Sequence, residues 1–111
     1  MSEYLSDHRI AFEKIEWNKT GVGVKQKVFQ YGNQRFRQVE FSEGFVELDW
    51  CMKGHACYVL EGCFSIDFNG NIERYSTGNV CFIPMGENDK HKAILGKGDR
   101  VLLLMFEIVE G

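Results

Sequence analysis

The sequence contains only one proline, no apolar run longer than the six residues of Val101–Phe106 and no cluster of basic residues. A membrane-spanning helix needs about 20 apolar residues, so no membrane segment is expected. The polar N-terminal residues do not resemble a signal peptide and predict a cytoplasmic protein. Thirteen basic and sixteen acidic residues give a net charge of −3, which argues against nucleic acid as a partner because phosphate binding favours excess positive charge.

The four cysteines form no C-x-x-C pair, which excludes a zinc-ribbon or thioredoxin-like motif. Without an export signal, the thiols are expected to be reduced. Cys63 and Cys81 are interpreted as small buried apolar residues. Cys51 is kept as a candidate ligand because of its position in a motif described below.

Twelve glycines separate short segments that are rich in Val, Ile, Phe and Tyr, which is typical of an all-β fold. The predicted strands include Phe45–Met52, Cys63–Phe68 and Val80–Ile83, and Asn69-Gly70 is a strong hairpin signal. No long segment keeps a helical period. We therefore expect less than about 15% helix, well below the average of globular proteins.

Two stretches of this sequence resemble the two conserved motifs of the cupin superfamily. The first is Tyr58-Val59-Leu60-Glu61-Gly62, preceded three residues earlier by His55. The second is Gly78-Asn79-Val80-Cys81-Phe82-Ile83-Pro84-Met85-Gly86, followed by His91.

The resemblance places the first motif at about residues 44–70 and the second at about 78–91, and it covers most of the chain. It implies one domain over residues 1–111 with the fold of a double-stranded β-helix, a jelly-roll barrel. It says less about function, because cupins include isomerases, dioxygenases, decarboxylases, sensors and storage proteins.

The resemblance also implies a metal site, which in cupins uses His-x-His, then Glu or Gln four residues on, and a His from the second motif. His55 occupies the Glu/Gln position, and Cys51 and Asp49 occupy the two His positions. In the second motif, the usual cupin spacing Pro-x-Gly-x-x-His, counted from Pro84, places Asp89 at the position of the histidine. His91 lies two residues further along, so on a strand its side chain would point to the same side. The implied ligands are therefore Asp49, Cys51, His55 and His91, with Asp89 as a substitute for His91.

The register of the first motif is ambiguous by one residue. Counting forward from Gly44 places Trp50 and Met52 at the two His positions, so a deletion lies between Gly44 and His55. A one-residue slip reverses which side chains point inward. Burial alone favours the face with Val46, Leu48, Trp50 and Met52 inward, but we favour the register with Asp49 and Cys51 inward.

A mixed set of nitrogen, sulfur and oxygen donors suits one zinc or ferrous ion better than magnesium or calcium, which prefer oxygen. The alternative is that no metal binds. In that case His55 and His91 are hydrogen-bonded polar residues in a cavity, and Cys51 packs as a small hydrophobe.

Four side chains are expected to line the cavity or its rim: Trp50, Tyr58, Phe82 and Met85. Arg35 and Arg37 alternate on one strand and are interpreted either as a clamp for an anion or, more commonly, as a solvated face. Glu47 is interpreted as a surface acid.

The N-terminal apolar residues are expected to cover a neighbouring sheet of the same or a partner subunit in a homodimer: Phe12, Ile15 and Trp17.

Three functional hypotheses follow. The first is a metalloenzyme that acts on a small organic molecule at the barrel mouth, which requires the candidate ligands to converge. The second is a metal-free binding or sensor protein with an aromatic-lined cavity for a small-molecule ligand. The third is a partner-binding protein with a filled barrel.

Overall fold

The computed structural model describes residues 4–109 and consists mostly of antiparallel strands. The ten strands are β1 (Leu5–Ser6), β2 (Arg9–Ile10), β3 (Asn18–Gly21), β4 (Val24–Tyr31), β5 (Gln34–Ser42), β6 (His55–Phe68), β7 (Asn71–Ser76), β8 (Val80–Ile83), β9 (Lys92–Ile94) and β10 (Arg100–Ile108). The helical segments among these residues are two 3-10 turns, Phe12–Lys14 and Glu87–Asp89. Within residues 4–109 no helix has the length and apolar character needed to cross a membrane. The all-β prediction is confirmed.

Strand β6 organises the barrel because it pairs with four other strands. The main sheet has the order β3-β4-β5-β10-β6-β7, and β8 and β9 also pair with β6. The first residues of β6 pair with β8, whereas its last residues pair with β7 and β9. One strand of 14 residues therefore connects the mouth of the barrel to its far end.

Gly62 allows β6 to bend between these two halves. Its φ is +86°, and a Cβ atom at this position would lie 2.0 Å from the carbonyl oxygen of Arg100. The pairing of β6 with β10 shifts register beside it, between Leu102 and Leu103. Only glycine combines this backbone conformation with so close an approach of the neighbouring strand.

The core follows from the two-residue alternation of β6, β8 and β10. Leu103 and Val59 are directly opposite each other, and both are fully buried. Their neighbours on the same face form one buried cluster, whose further members include Val39, Cys57, Phe64, Ile66, Cys81, Ile83, Val101 and Met105. The opposite faces of these strands point outward.

The predicted strand Phe45–Met52 is wrong. The backbone of this segment pairs with the barrel through two isolated bridges, Val46 with Ile94 and Cys51 with His91. Three of the apolar side chains that burial alone would place inside are exposed, by 70% at Val46, 81% at Leu48 and 48% at Met52. Because no continuous ladder holds this segment, it bends near Asp49 and loses a regular alternation.

The N-terminal apolar residues pack on a sheet of their own chain. The Lys27 ammonium donates a hydrogen bond of 2.9 Å to the Phe12 carbonyl. The ammonium groups of Lys25 and Lys27 lie 4.8 and 5.0 Å from the centre of the Trp17 ring. The segment therefore covers the outer face of β4, and a role for it in a homodimer stays a prediction.

Candidate metal centre

His55, the first residue of β6, is buried inside the mouth of the barrel. Its Nδ1 atom lies 2.9 Å from Oε2 of Glu107 on β10, in the geometry of an ion pair and not of an aligned hydrogen bond. Its Nε2 atom lies 3.5 Å from Sγ of Cys51. One ring nitrogen therefore faces a carboxylate and the other faces a thiol.

Cys51 and His91 are brought together by their backbones. The Cys51 N–H donates to the His91 carbonyl at 2.9 Å, and the His91 N–H donates to the Cys51 carbonyl at 3.0 Å. His91 Nδ1 lies 3.0 Å from the Asp89 carbonyl oxygen, which leaves Nε2 as the free ring nitrogen. The rings of His55 and His91 meet edge to face, with their centres 5.4 Å apart.

Three residues, Cys51, His55 and His91, each offer one donor atom. These three atoms all lie within 4.8 Å of one another. Two ligands of a tetrahedral zinc ion with bonds of 2.0–2.3 Å are separated by about 3.5 Å. The distance between Cys51 Sγ and His55 Nε2 already has this value. Both histidines also have Nδ1 next to an oxygen acceptor, which favours the tautomer with a proton on Nδ1 and a lone pair on Nε2.

The three groups change one another's protonation. Burial disfavours the charged forms of both Cys51 and His55. The hydrogen bonds with His55 and His91 outweigh burial at the thiol and lower the Cys51 pKa to about 5. The contacts with Cys51 and Glu107 raise the His55 pKa to about 9, and the contact with Cys51 also raises the pKa of His91. Near neutral pH these shifts favour a thiolate at Cys51 beside a protonated imidazole at His55.

Glu107 is a functional residue that the sequence analysis missed. Its carboxylate is buried and contacts Arg35 at 2.6 Å and Arg37 at 2.8 Å, as well as His55. Burial opposes ionisation, but His55, Arg37 and Arg35 lower its pKa to about 2. Arg35 and Arg37 are thus held by Glu107 and are not a freely solvated face. The signal was available, since Glu107 is an acid at an inward position of an apolar strand.

Glu47 was interpreted as a surface acid, which is wrong. It is half-buried, and its Oε1 accepts a hydrogen bond of 2.8 Å from the Ala93 N–H. Burial raises its pKa. It lines the same cavity as Cys51, His55 and His91.

Two cavities meet at Cys51. The inner one, of about 200 Å³, lies inside the barrel between the candidate ligands and apolar core residues such as Leu103. The outer one, of about 560 Å³, lies at the barrel mouth. The side chains that line the mouth include Arg35, Trp50, Cys51, Met52, Lys53 and Met85. The ligand cluster is therefore accessible to a molecule from the mouth.

The structure does not bring all the predicted residues to this site. Asp49 is exposed, and Asp89 contributes its backbone carbonyl to His91. Of the four predicted rim residues, Trp50 and Met85 line the mouth. Tyr58 and Phe82 do not, because their strand parity is opposite to that of buried Cys57 and Cys81, and they lie 43% and 75% exposed on the outer face.

No family model and no curated protein matches this sequence. Solved structures match it throughout. The polyketide cyclase RemF from Streptomyces resistomycificus is 18% identical, with a TM-score of 0.78 over 95% of this chain and 81% of that one. An RmlC-like cupin from Shewanella frigidimarina is 21% identical, with a TM-score of 0.73 over 98% and 93%. KdgF from Halomonas is 20% identical, with a TM-score of 0.70 over 88% and 92%.

The antiparallel topology around β6 and the cavity at one end define the chain as a small β-barrel with an open mouth. The solved structures that match this chain include a cupin, and the chain has the cupin fold. The resemblance found in the two sequence motifs is thereby confirmed for the fold.

Proposed function

We propose that this protein binds one divalent transition-metal ion, zinc or ferrous iron, through Cys51, His55 and His91, and that the site acts on a small organic molecule. The observation that carries the proposal is the convergence of three donor atoms within 4.8 Å at the meeting point of two cavities. Imidazole and thiolate donors suit zinc and iron.

Three protein ligands leave an open coordination position, as catalytic metal sites require. An ion held here supplies Lewis-acid chemistry to a bound molecule. Glu107 orients His55 through Nδ1, and the Asp89 carbonyl orients His91 in the same way. Such outer contacts are a regular part of working metal sites.

The mouth favours a small organic anion with an apolar part. Trp50, Met52 and Met85 supply apolar surface, and Lys53 supplies positive charge, whereas the charge of Arg35 is balanced by Glu107 in the same cavity. A volume of about 560 Å³ lies within the range of small-molecule sites. A protein of the same fold is a polyketide cyclase, so the architecture accommodates enzymes for small organic molecules.

The metal proposal is tested by measuring zinc in untagged protein and by titration against a chromogenic chelator. His55→Ala and His91→Ala should each abolish tight binding. His8→Ala, at an exposed histidine outside the site, is the matched control and should bind as the unaltered protein does. Equal affinity of the His8 and His91 variants would contradict the proposal.

The ligand class is tested with the zinc-loaded protein and two probes of equal shape, phenylacetate and phenylacetamide. We expect calorimetry to show tighter binding of the carboxylate, and Lys53→Met should reduce the difference. Equal binding of both probes would contradict the anionic preference without affecting the metal site.

A metal-free binding protein is the second candidate function. The observation in its favour is that the mouth cavity, with Trp50 and Met52, exists independently of any ion. This function is favoured over the metal site if purified protein contains no metal and phenylacetate binds equally well in the presence of a strong chelator.

A further inference from the structure

Cys57 and Cys81 form a cross-strand pair of thiols behind the candidate metal centre. They are directly opposite each other on the antiparallel strands β6 and β8. Both side chains belong to the buried core, with exposures of 5% and 4%, so they point to the same side of the sheet. The interpretation of Cys81 as a small apolar residue does not account for a second cysteine opposite it.

The two thiols are close neighbours, because the residues are direct partners in the β6–β8 ladder and their side chains belong to one buried cluster. Directly opposed residues of an antiparallel pair have Cα atoms about 4.5–5.5 Å apart, within the range that a disulfide bridges. No strand shift is therefore needed to join them.

A small oxidant has a route to this pair. Cys57 lines the inner cavity of about 200 Å³, which Cys51 and Lys53 connect to the barrel mouth because they line both cavities. Hydrogen peroxide is small enough for this route. Both side chains are buried in the core, with exposures of 5% and 4%, which excludes bulky thiols.

We propose that Cys57 and Cys81 are a redox modification site, in which hydrogen peroxide converts the two thiols into a disulfide. One thiol is oxidised by peroxide to a sulfenic acid with release of one water. The second thiol then displaces the sulfenic oxygen as a second water and forms the S–S bond. Two electrons and two hydrogens pass from the thiols to one peroxide, so the step is balanced.

The consequence of the bond is a fixed connection between β6 and β8 at the barrel mouth. Cys57 is two residues from His55 on the same face of β6. The disulfide would thus limit movement of the strand that carries His55. The proposal does not require a bound metal, because the two cysteines meet without one.

The experiment is peroxide treatment of the folded, full-length protein, followed by mass spectrometry with and without reduction. Trypsin separates Cys51 (residues 38–53) from Cys57 and Cys63 (residues 54–74) and from Cys81 (residues 75–90). We expect a mass loss of about 2 Da and a dithiothreitol-sensitive link between 54–74 and 75–90. Fragmentation of the linked peptides should place the bond at Cys57.

Cys63→Ser should retain the link, and Cys57→Ala should lose it. Cys81→Ala serves the same purpose if Cys57→Ala does not fold, and the fragmentation of the unaltered protein needs no variant. A link that fragmentation places at Cys63, no link at all, or oxidation of Cys57 to sulfinic acid alone would overturn the proposal. Metal content is measured on the same samples, so that failure here is separated from failure of the metal site.

Discussion

Cys51 and His91 form one antiparallel residue pair, joined by backbone hydrogen bonds of 2.9 and 3.0 Å in both directions. The pair fastens the irregular segment before β6 to the chain that precedes β9. The Cys51 backbone is therefore held by a single residue pair, whereas His55 is held by a continuous strand. The three candidate ligands differ in how firmly the fold positions them.

The nature of the sulfur ligand should decide metal selectivity. Cys51→Ser replaces a thiolate by a hard, weakly acidic hydroxyl, so zinc affinity should fall on the order of tenfold or more, with a smaller loss for ferrous iron. Chelator competition measures both. Cys63→Ser is the matched control, since Cys63 contacts Arg74 and Asp99 away from the site, and an equal loss in both variants would contradict the assignment.

Glu107 should act on the metal through His55. Glu107→Gln keeps the size of the side chain but removes the charge that His55 Nδ1, Arg35 and Arg37 contact. Zinc affinity should fall by about 10–100-fold, which is the usual effect of removing an outer carboxylate. Glu40→Gln, at an acid that pairs with Lys25 and Arg100, should leave zinc affinity unchanged.

Gly62 should tolerate no side chain. In Gly62→Ala the new Cβ meets the Arg100 carbonyl and the residue keeps a positive φ, so the free energy of unfolding should fall by roughly 3 kcal/mol or more. Gly70→Ala has a φ of +109° but open space around it, and should cost about 1–2 kcal/mol. Urea denaturation measures both, and equal losses would show that conformation alone, without the close approach, determines the cost.

Asp99 should make stability depend on acid pH. Its two oxygens accept hydrogen bonds of 2.8 and 2.9 Å from Arg74, and the Gly96 N–H also donates to it. These contacts lower its pKa to about 2. Because the pKa of an unfolded Asp is about 3.9, the contribution is present above about pH 4 and is lost as the pH falls to about 2.

Thermal unfolding of Asp99→Asn and of the unaltered protein checks this at several pH values. The difference in Tm should be largest above pH 4 and should shrink toward pH 2. Other carboxylates titrate in both proteins and cancel in the difference. A constant difference over this range would contradict the role of the charge.

The homodimer stays a prediction, and the outer sheet face offers a surface for it. Tyr58, Val80 and Phe82 are exposed side by side on β6 and β8, and clustered apolar side chains of this kind mark association sites. Light scattering at tens of micromolar should report a dimer, and Phe82→Lys should give a monomer. Ile72→Lys, equally apolar and exposed but on β7, should remain dimeric.

The sequence predicted the fold well because alternation and turn signals are local. Strand β8 begins and ends at the predicted residues, Val80 and Ile83. His55 and His91 also meet as the motif resemblance implied, because each lies at a fixed distance from a regular element. The partner carboxylate Glu107 was missed, since its contact with His55 joins residues far apart in the chain.

The segment before β6 could not be predicted in the same way. Its alternating apolar residues indicated a strand, but a strand also needs a continuous hydrogen-bonded neighbour, which a pattern within the segment does not reveal. With two isolated pairs to the barrel, Asp49 turns to solvent while Cys51 faces the cavity. Of the two side chains predicted to point inward, Cys51 lines the cavity and Asp49 does not.

The same segment suggests how such a site changes during evolution. A residue inserted into or deleted from a laddered strand shifts every later partner, but residues 43–54 have few partners to shift. Their length and their donor residue can therefore vary while His55, His91 and the core stay in place. Of the three donors, the one supplied by this segment is the easiest to exchange, because the fewest backbone pairs depend on its position.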